Sequence, residues 1–196
     1  MQIKEGLDYY PELLATEQLA AIEKDIKLAL KQAPLFTPTM PKTGKEFSVL
    51  MSNIGKLGWV SDQQNGYRYQ EFHPITKKPW PEISKNILQI WHEVTGLADE
   101  PDCCLINIYQ QNAKMGLHVD NDEQDFSYPV LSISLGNTGL FRFGGLKRDD
   151  PTKSIKLAHG DVLKLAGKSR LIYHGIDRIY PSQNFQQRIN LTMRKV

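Results

Sequence analysis

Residues 188–194, Arg-Ile-Asn-Leu-Thr-Met-Arg, alternate strictly between polar and apolar side chains. Successive side chains of a β-strand point to opposite faces, so this alternation predicts a strand. The two faces of that strand are an apolar set, Ile189, Leu191 and Met193, and a polar set, Arg188, Asn190, Thr192 and Arg194. Two guanidiniums and an amide on one face suit a small ligand that bears carboxylates. A solvated edge strand would show the same alternation, so the rest of the chain must decide.

Other short strands precede this one in the C-terminal half. Between residue 101 and the end, apolar or alternating runs are separated by turn residues, and they predict about seven strands. Their ranges are 104–109, 129–135, 140–143, 154–157, 161–165, 170–175 and 188–194. No helical pattern lies between them, which favours an antiparallel sandwich or jelly roll.

The N-terminal half predicts two amphipathic helices. The first begins with Thr16 as its N-cap and ends at Pro34, and the second begins at Trp80 and ends at Gly96. Between them lies an irregular segment with candidate strands at 48–53 and 66–72, in which lysines and arginines are interspersed among aromatic residues. That pattern fits a lid that grips nucleic acid, and equally an ordinary loop with a few buried rings. The fold class predicted is α+β, with two helices packed on a jelly-roll core.

Size and composition predict one domain over residues 1–196, with the helices and lid in about 1–100 and the β-core in about 101–196. The net charge of +2 does not by itself indicate a nucleic-acid partner. No apolar run is long enough to span a bilayer, and the first residues lack a signal-peptide pattern, so no membrane partner and a cytoplasmic location are expected. Cys103 and Cys104 are adjacent and are expected to be buried free thiols.

The most specific local pattern is His118-Val119-Asp120. In an extended segment residues i and i+2 share a face, so the imidazole and the carboxylate point into the same space. His174, at the end of another predicted strand, supplies a possible third ligand. Two histidines and one carboxylate form the facial triad of non-haem iron(II) oxygenases. A calcium loop at Asp120 is excluded, because the glycine at the sixth position and the glutamate at the twelfth are missing.

Several ordered motifs resemble the AlkB family of iron- and 2-oxoglutarate-dependent dioxygenases, most closely its bacterial DNA-repair members. They cover nearly the whole chain and are the segments 48–51, 57–59, 66–69, 78–81, 104–109, 116–123, 143–148, 159–161, 169–175 and 188–194. The resemblance implies a double-stranded β-helix core with a nucleotide-recognition lid. It also implies Fe(II), with 2-oxoglutarate and O2 as co-substrates.

Residue roles follow from the resemblance. The implied metal ligands are His118, Asp120 and His174, which with Arg194 are also the implied catalytic residues. The residues implied to hold 2-oxoglutarate are Asn107, Ile108, Tyr109, Arg188, Asn190, Thr192 and Arg194, with Arg188 on the far carboxylate. The residues implied to contact substrate are Met51, Trp59, Tyr67, Arg68, Tyr69, Asp122, Glu123, Lys147 and Arg148.

The implied reaction is oxidative demethylation of bases such as 1-methyladenine and 3-methylcytosine, with release of formaldehyde, succinate and CO2. Trp59 would stack on the flipped base opposite His118, and Asp122 and Glu123 would favour a cationic lesion. The implied partner is single-stranded or locally opened DNA bound by a monomer. RNA, another substrate class, and a binding module without turnover are the alternatives. Leu165 stands where bacterial members often carry tryptophan, which leaves the substrate range open.

Overall fold

Thirteen β-strands and two α-helices form the fold in the computed structural model, which describes residues 1–196. The N-terminal elements are β1 (Gln2–Lys4), β2 (Leu7–Tyr10), α1 (Thr16–Gln32), β3 (Val49–Gly55), β4 (Gly58–Asp62), β5 (Gly66–Gln70) and α2 (Lys85–Thr95). The C-terminal elements are β6 (Cys103–Tyr109), β7 (Met115–His118), β8 (Val130–Gly136), β9 (Thr138–Phe143), β10 (Lys153–Leu157), β11 (Val162–Leu165), β12 (His174–Tyr180) and β13 (Arg188–Arg194).

The strands pair antiparallel in three sheets. The large sheet has the order β1-β2-β11-β8-β13-β6-β3, the small sheet has the order β10-β9-β12-β7, and β4 pairs with β5 as a separate hairpin. The large and small sheets face each other, since Leu105 and Leu163 of one share a buried cluster with Phe141 and Ile176 of the other. This arrangement confirms the predicted α+β class with a jelly-roll core.

Strand β13 lies inside the large sheet, between β6 and β8, and its bounds are those predicted. Its apolar face packs in a second cluster, with Leu191 and Met193 against Ile22 of α1 and Trp91 of α2. Its polar face turns towards the small sheet, where Arg188 is fully buried. The alternative of a solvated edge strand is therefore wrong.

The second helix starts later than predicted. It begins at Lys85 rather than at Trp80, because Ser84 is the N-cap and its side chain accepts a hydrogen bond from the Ile87 amide. Trp80 instead packs in the cluster between the sheets. The predicted end is confirmed, since Gly96 adopts the left-handed conformation that terminates the helix at φ 70°.

One predicted strand is misplaced. The range 170–175 was predicted as a strand, but a 3₁₀ turn spans Gly167–Ser169, Arg170 follows it, and the strand runs over His174–Tyr180. Four short strands, β1, β2, β4 and β7, were not predicted at all. No helix combines the length and the apolar composition needed to cross a bilayer.

Candidate active site

A cavity of about 210 Å³ lies between the large and small sheets. Its walls contain most of the predicted site residues, namely Met51, Trp59, Tyr67, Tyr69, Asn107, Tyr109, His118, Asp120, Asp122, Glu123, His174, Arg188, Asn190, Thr192 and Arg194. The cavity therefore gathers these side chains from seven different strands and from the loop that follows β7. Its remaining wall is largely apolar and includes Leu157, Leu163 and Leu165.

Strand pairing brings the two candidate histidines together. His118 ends β7 and His174 begins β12, and these residues are direct partners across the antiparallel pair, with ring centroids 4.6 Å apart. Asp120 follows two residues after His118 and completes the group. The Asp120 carboxylate lies 3.7 Å from Nε2 of each imidazole, through Oδ1 to His118 and through Oδ2 to His174.

These three residues fit a metal ion. Each imidazole uses Nδ1 on a backbone carbonyl, at 2.8 Å for His118 to Gly116 and at 3.0 Å for His174 to Ile172. A carbonyl only accepts, so Nδ1 carries the proton and Nε2 offers its lone pair, as a metal-bound histidine requires. One ligand atom from each of the three residues lies within 4.8 Å of the others. Two nitrogens and one carboxylate oxygen are the donor set that suits iron(II).

The protonation states also favour a cation. Burial, together with the neighbouring His118, lowers the pKa of His174 to about 4. Burial alone would raise the pKa of Asp120, but the Arg194 guanidinium and the two imidazoles hold it well below its usual range. At neutral pH the site therefore presents a neutral His174 and a charged carboxylate.

Arg188 is a buried cation without a carboxylate partner. It is 0% exposed, its Nη2 donates to Ser134 Oγ at 2.9 Å, and its Nε has no hydrogen-bond partner. Gly139 makes room for it, because a Cβ there would lie 2.7 Å from Nε. Burial lowers the pKa of Arg188 to about 10, so the group stays charged at neutral pH. An unpaired buried charge is costly, and an anionic ligand in the cavity would offset that cost.

Two polar groups beside Arg188 are also free for such a ligand. Tyr109, the cross-strand partner of Arg188, makes no hydrogen bond with its hydroxyl, and burial raises its pKa to about 12. Asn107 has a buried Oδ1 without a partner. A dicarboxylate such as 2-oxoglutarate would fit the Arg188 guanidinium and the Tyr109 hydroxyl as donors, with one carboxylate at Arg188 and its 2-oxo acid end towards the histidines.

The other predicted 2-oxoglutarate residues are placed differently. Asn190 and Thr192 line the cavity but already satisfy each other, since Thr192 Oγ1 donates to Asn190 Oδ1 at 2.8 Å. Ile108 does not line the cavity. Its side chain packs in the cluster on the opposite face of the sheet, because it alternates with Asn107 and Tyr109 along β6.

Asp120 is held by a buried network of opposite charges. Arg194 Nη2 contacts Asp120 Oδ1 at 2.9 Å, and Arg194 Nε lies 3.3 Å from Glu123 Oε1. Arg170 donates to the Asp120 carbonyl at 2.7 Å and to Glu123 Oε2 at 3.0 Å. Glu123 lines the cavity, but its side chain is 1% exposed and faces these guanidiniums, so its contact with substrate stays a prediction. The sequence pattern did not identify Arg170 as a site residue, and no local signal marks it.

We expect Arg170→Met to destabilise the fold strongly. The substitution leaves Glu123 buried with fewer donors, and breaking a buried ion pair costs about 3–5 kcal/mol. For a domain of this size that corresponds to a fall in melting temperature of about 10 °C. Arg142→Met is the control, because each side chain of the Arg142–Asp177 pair is about one-third exposed to solvent, and solvent-accessible pairs contribute about 1 kcal/mol or less. Equal losses in the two variants would contradict this account.

The β4–β5 hairpin carries an aromatic wall at the cavity mouth. The Trp59 and Tyr67 rings stack with centroids 5.6 Å apart, and Phe47 meets the indole edge-on. The indole N–H donates to Asp122 Oδ2 at 2.7 Å. The Asn53 amide fixes the Trp59 backbone at both its N–H and its C=O, each at 3.0 Å. Trp59 is thus oriented before any ligand enters.

Three predicted substrate contacts lie outside the cavity lining. Arg68 folds back on its own hairpin and pairs with Asp62 at 2.7 Å. Lys147 and Arg148 lie in the loop between β9 and β10, and the Arg148 guanidinium sits 5.9 Å from the Tyr173 ring centroid. Contacts from these residues to a flanking backbone stay a prediction.

Taken together, the jelly roll, the two histidines with one carboxylate and the unpaired arginine define a non-haem iron oxygenase that uses a 2-oxo acid. The family model described as the 2OG-Fe(II) oxygenase superfamily matches residues 6–194. The chain is 45% identical over 194 residues to the alpha-ketoglutarate-dependent dioxygenase AlkB homolog of Caulobacter vibrioides, covering 97% of this chain and 87% of that protein. It belongs to the AlkB family of these dioxygenases.

Other proteins of the same family are also similar to this chain. The alpha-ketoglutarate-dependent dioxygenase AlkB of Escherichia coli is 43% identical over 188 residues, covering 92% of this chain and 85% of that protein. Among solved structures, OsALKBH1 superposes with a TM-score of 0.80 at 29% identity, over 100% of this chain and 99% of the other. The protein is therefore an enzyme that requires Fe(II) and 2-oxoglutarate and consumes O2.

Proposed function

We propose that the enzyme removes N-methyl groups from nucleic-acid bases, with 1-methyladenine and 3-methylcytosine in DNA as substrates, and that it acts in direct-reversal repair of alkylation damage. The observation that carries the proposal is the pairing of an oriented Trp59 with the exposed carboxylate of Asp122 at the mouth of the cavity in front of His118. A relative with 35% identity over 109 residues, covering 48% of this chain and 24% of that protein, is named a DNA N(6)-methyladenine demethylase, which supports a base substrate.

The aromatic wall suits a flipped base. Trp59 offers a ring for stacking, and the His118 side chain, which is 40% exposed, lies on the same cavity. Extrusion of a base methylated on its pairing edge costs less than extrusion of an intact base, since its pairing is already weakened. Single-stranded or locally opened DNA is therefore the proposed form of the substrate.

Asp122 supplies selectivity for charge. One of its oxygens takes the Trp59 indole N–H, and the other makes no hydrogen bond within the protein. Bases such as 1-methyladenine and 3-methylcytosine are cations, and a carboxylate beside the stacked ring favours them over neutral bases by charge-assisted contacts.

Each part of the site then has a separate task. His118, Asp120 and His174 hold Fe(II), and Arg188 with Tyr109 and Asn107 holds 2-oxoglutarate. Bound iron with 2-oxoglutarate and O2 supplies the oxidising power that converts an N-methyl group to a hydroxymethyl group, which leaves as formaldehyde. The hairpin keeps the base facing the histidines while the apolar wall excludes water.

Two further properties concern the oligomeric state and the cellular location of the enzyme. We propose a monomer in the cytoplasm, and the free thiols of the buried Cys103 and Cys104 fit a reducing compartment. The test is formaldehyde release from matched methylated DNA and RNA oligonucleotides in the presence of Fe(II), 2-oxoglutarate and O2. Faster release from DNA supports the proposal. Release from RNA alone would replace the proposed substrate, and release from neither would refute it.

We expect Trp59→Ala to raise the KM for a methylated oligonucleotide about tenfold to a hundredfold, because stacking of one base on an aromatic ring stabilises by about 1–3 kcal/mol. The KM for 2-oxoglutarate should not change, since Arg188 is untouched. Phe185→Ala is the control, because that ring packs on His159 and does not line the cavity. An unchanged oligonucleotide KM in the Trp59 variant would remove the stacking role.

A further inference from the structure

The β4–β5 hairpin is tied to the loop that carries Asp120 at two points. Trp59 of β4 donates its indole N–H to Asp122, and Tyr69 of β5 donates its hydroxyl to Glu123. Trp59 and Tyr69 are direct cross-strand partners, so both hydrogen bonds come from the same level of the hairpin. Any movement of the hairpin relative to the metal-binding loop must break at least one of them.

Glu123 is the centre of the second tie. One of its oxygens, Oε1, accepts from the Tyr69 hydroxyl and lies 3.3 Å from Arg194 Nε. The other, Oε2, accepts from Arg170 at 3.0 Å. With 1% of its side chain exposed, the carboxylate has no surface left for a substrate or for water.

The contacts continue from Glu123 to the candidate iron ligand. The same Arg194 guanidinium that faces Glu123 contacts Asp120 Oδ1 at 2.9 Å. Asp120 Oδ2 is left on the side of His174 Nε2, at 3.7 Å. A continuous path of side chains therefore runs from the hairpin, through Tyr69, Glu123 and Arg194, to the carboxylate of the metal site.

We propose that Tyr69 and Glu123 are positioning residues that hold the base-bearing hairpin in register with the iron site, so that consumption of 2-oxoglutarate is coupled to oxidation of the methyl group. This inference rests on the proposed demethylase function. Neither residue touches the reacting atoms. Tyr69 fixes the hairpin, and Glu123 transmits that position through Arg194 to Asp120.

The same contacts could serve only to stabilise the fold. The chain offers a matched comparison, because the hydroxyl of Tyr9 in β2 donates to Asp161 Oδ2 at 2.8 Å and neither residue lines the cavity. Tyr9→Phe and Tyr69→Phe each delete one hydroxyl that bonds to a carboxylate, but only Tyr69 belongs to the hairpin and lines the cavity. A purely structural role predicts similar behaviour for both variants.

The experiment measures two quantities in Tyr69→Phe, Tyr9→Phe and the unmodified enzyme. The first is the ratio of succinate to formaldehyde formed with a 1-methyladenine oligonucleotide, Fe(II), 2-oxoglutarate and O2. The second is hydrogen exchange of the β4–β5 backbone amides in the metal-free protein. In Tyr69→Phe we expect a ratio several-fold higher and hairpin exchange about tenfold faster, since a hydrogen bond to a charged acceptor is worth about that factor or more.

In Tyr9→Phe we expect both quantities to match those of the unmodified enzyme. Glu123→Gln should raise the ratio at least as much as Tyr69→Phe, because it weakens the contacts with both Tyr69 and Arg194. An unchanged ratio in Tyr69→Phe, or the same rise in Tyr9→Phe, would overturn the inference. Absence of formaldehyde with the unmodified enzyme would instead refute the proposed substrate, and the exchange measurement would still test the tie to the hairpin.

Discussion

His174→Ala should abolish demethylation, with a loss of at least about a thousandfold, which corresponds to about 4 kcal/mol of transition-state stabilisation. The substitution removes one of three ligands from a site that offers no replacement, because the three ligand atoms form the only such group of histidine, cysteine and acidic side chains in the chain. The variant should bind metal more weakly, and the loss of turnover should follow from that weaker binding.

Thermal unfolding separates these two effects. A metal ion that binds only the folded protein stabilises the folded state by about 2.7 kcal/mol when its concentration is one hundred times its Kd. That shift should vanish in His174→Ala, measured anaerobically with Fe(II), while the melting temperature without metal changes little. His92→Ala is the control, since its ring bonds to the Leu97 carbonyl at the end of α2, away from the cavity. A retained metal shift in the His174 variant would exclude that residue as a ligand.

Arg188→Lys should raise the KM for 2-oxoglutarate by about a hundredfold or more. Truncating one partner of a buried, hydrogen-bonded charge pair costs about 2–5 kcal/mol. Lysine keeps the charge but loses the planar fork that matches a carboxylate, so the two side chains are not equivalent here. Metal affinity without 2-oxoglutarate should stay unchanged, because Arg188 is not among the metal ligands.

Gly139→Ala tests the same site without replacing Arg188 itself. Its Cβ would lie 2.7 Å from Arg188 Nε and 2.9 Å from Cζ, so the guanidinium must shift. We expect a smaller rise in the KM for 2-oxoglutarate than in Arg188→Lys. If both variants kept the KM of the unmodified enzyme, Arg188 would serve the fold only and the dicarboxylate would bind elsewhere.

The strand that carries Arg188 could be predicted from its sequence because it obeys a local rule. Polar and apolar residues alternate over its whole length, and the structure uses both faces, one against the helices and one in the cavity. The His118–Asp120 pair is local in the same sense, since two residues of spacing suffice to put both groups on one side.

The environment of Asp120 could not be predicted, because it depends on contacts between distant residues. The sequence predicts that Arg170 lies in a strand. In the structure it lies outside any strand and donates to the Asp120 carbonyl and to Glu123, which are 50 and 47 positions away in the sequence. In the sequence Glu123 resembles an exposed acidic residue like its neighbour Asp122, because its partners Arg170 and Arg194 are also distant in the chain. Only the fold shows that one carboxylate is enclosed by guanidiniums while its neighbour stays exposed.

We expect His118, Asp120 and His174 to bind one metal ion beside an Arg188 that receives 2-oxoglutarate. The decisive experiment is a crystal structure of the protein with Mn(II) and 2-oxoglutarate, from crystals grown without oxygen. It should show one metal ion on Nε2 of both histidines and on the Asp120 carboxylate, with the far carboxylate of 2-oxoglutarate paired to Arg188. A metal ion bound by other residues, or a 2-oxoglutarate carboxylate away from Arg188, would contradict this expectation.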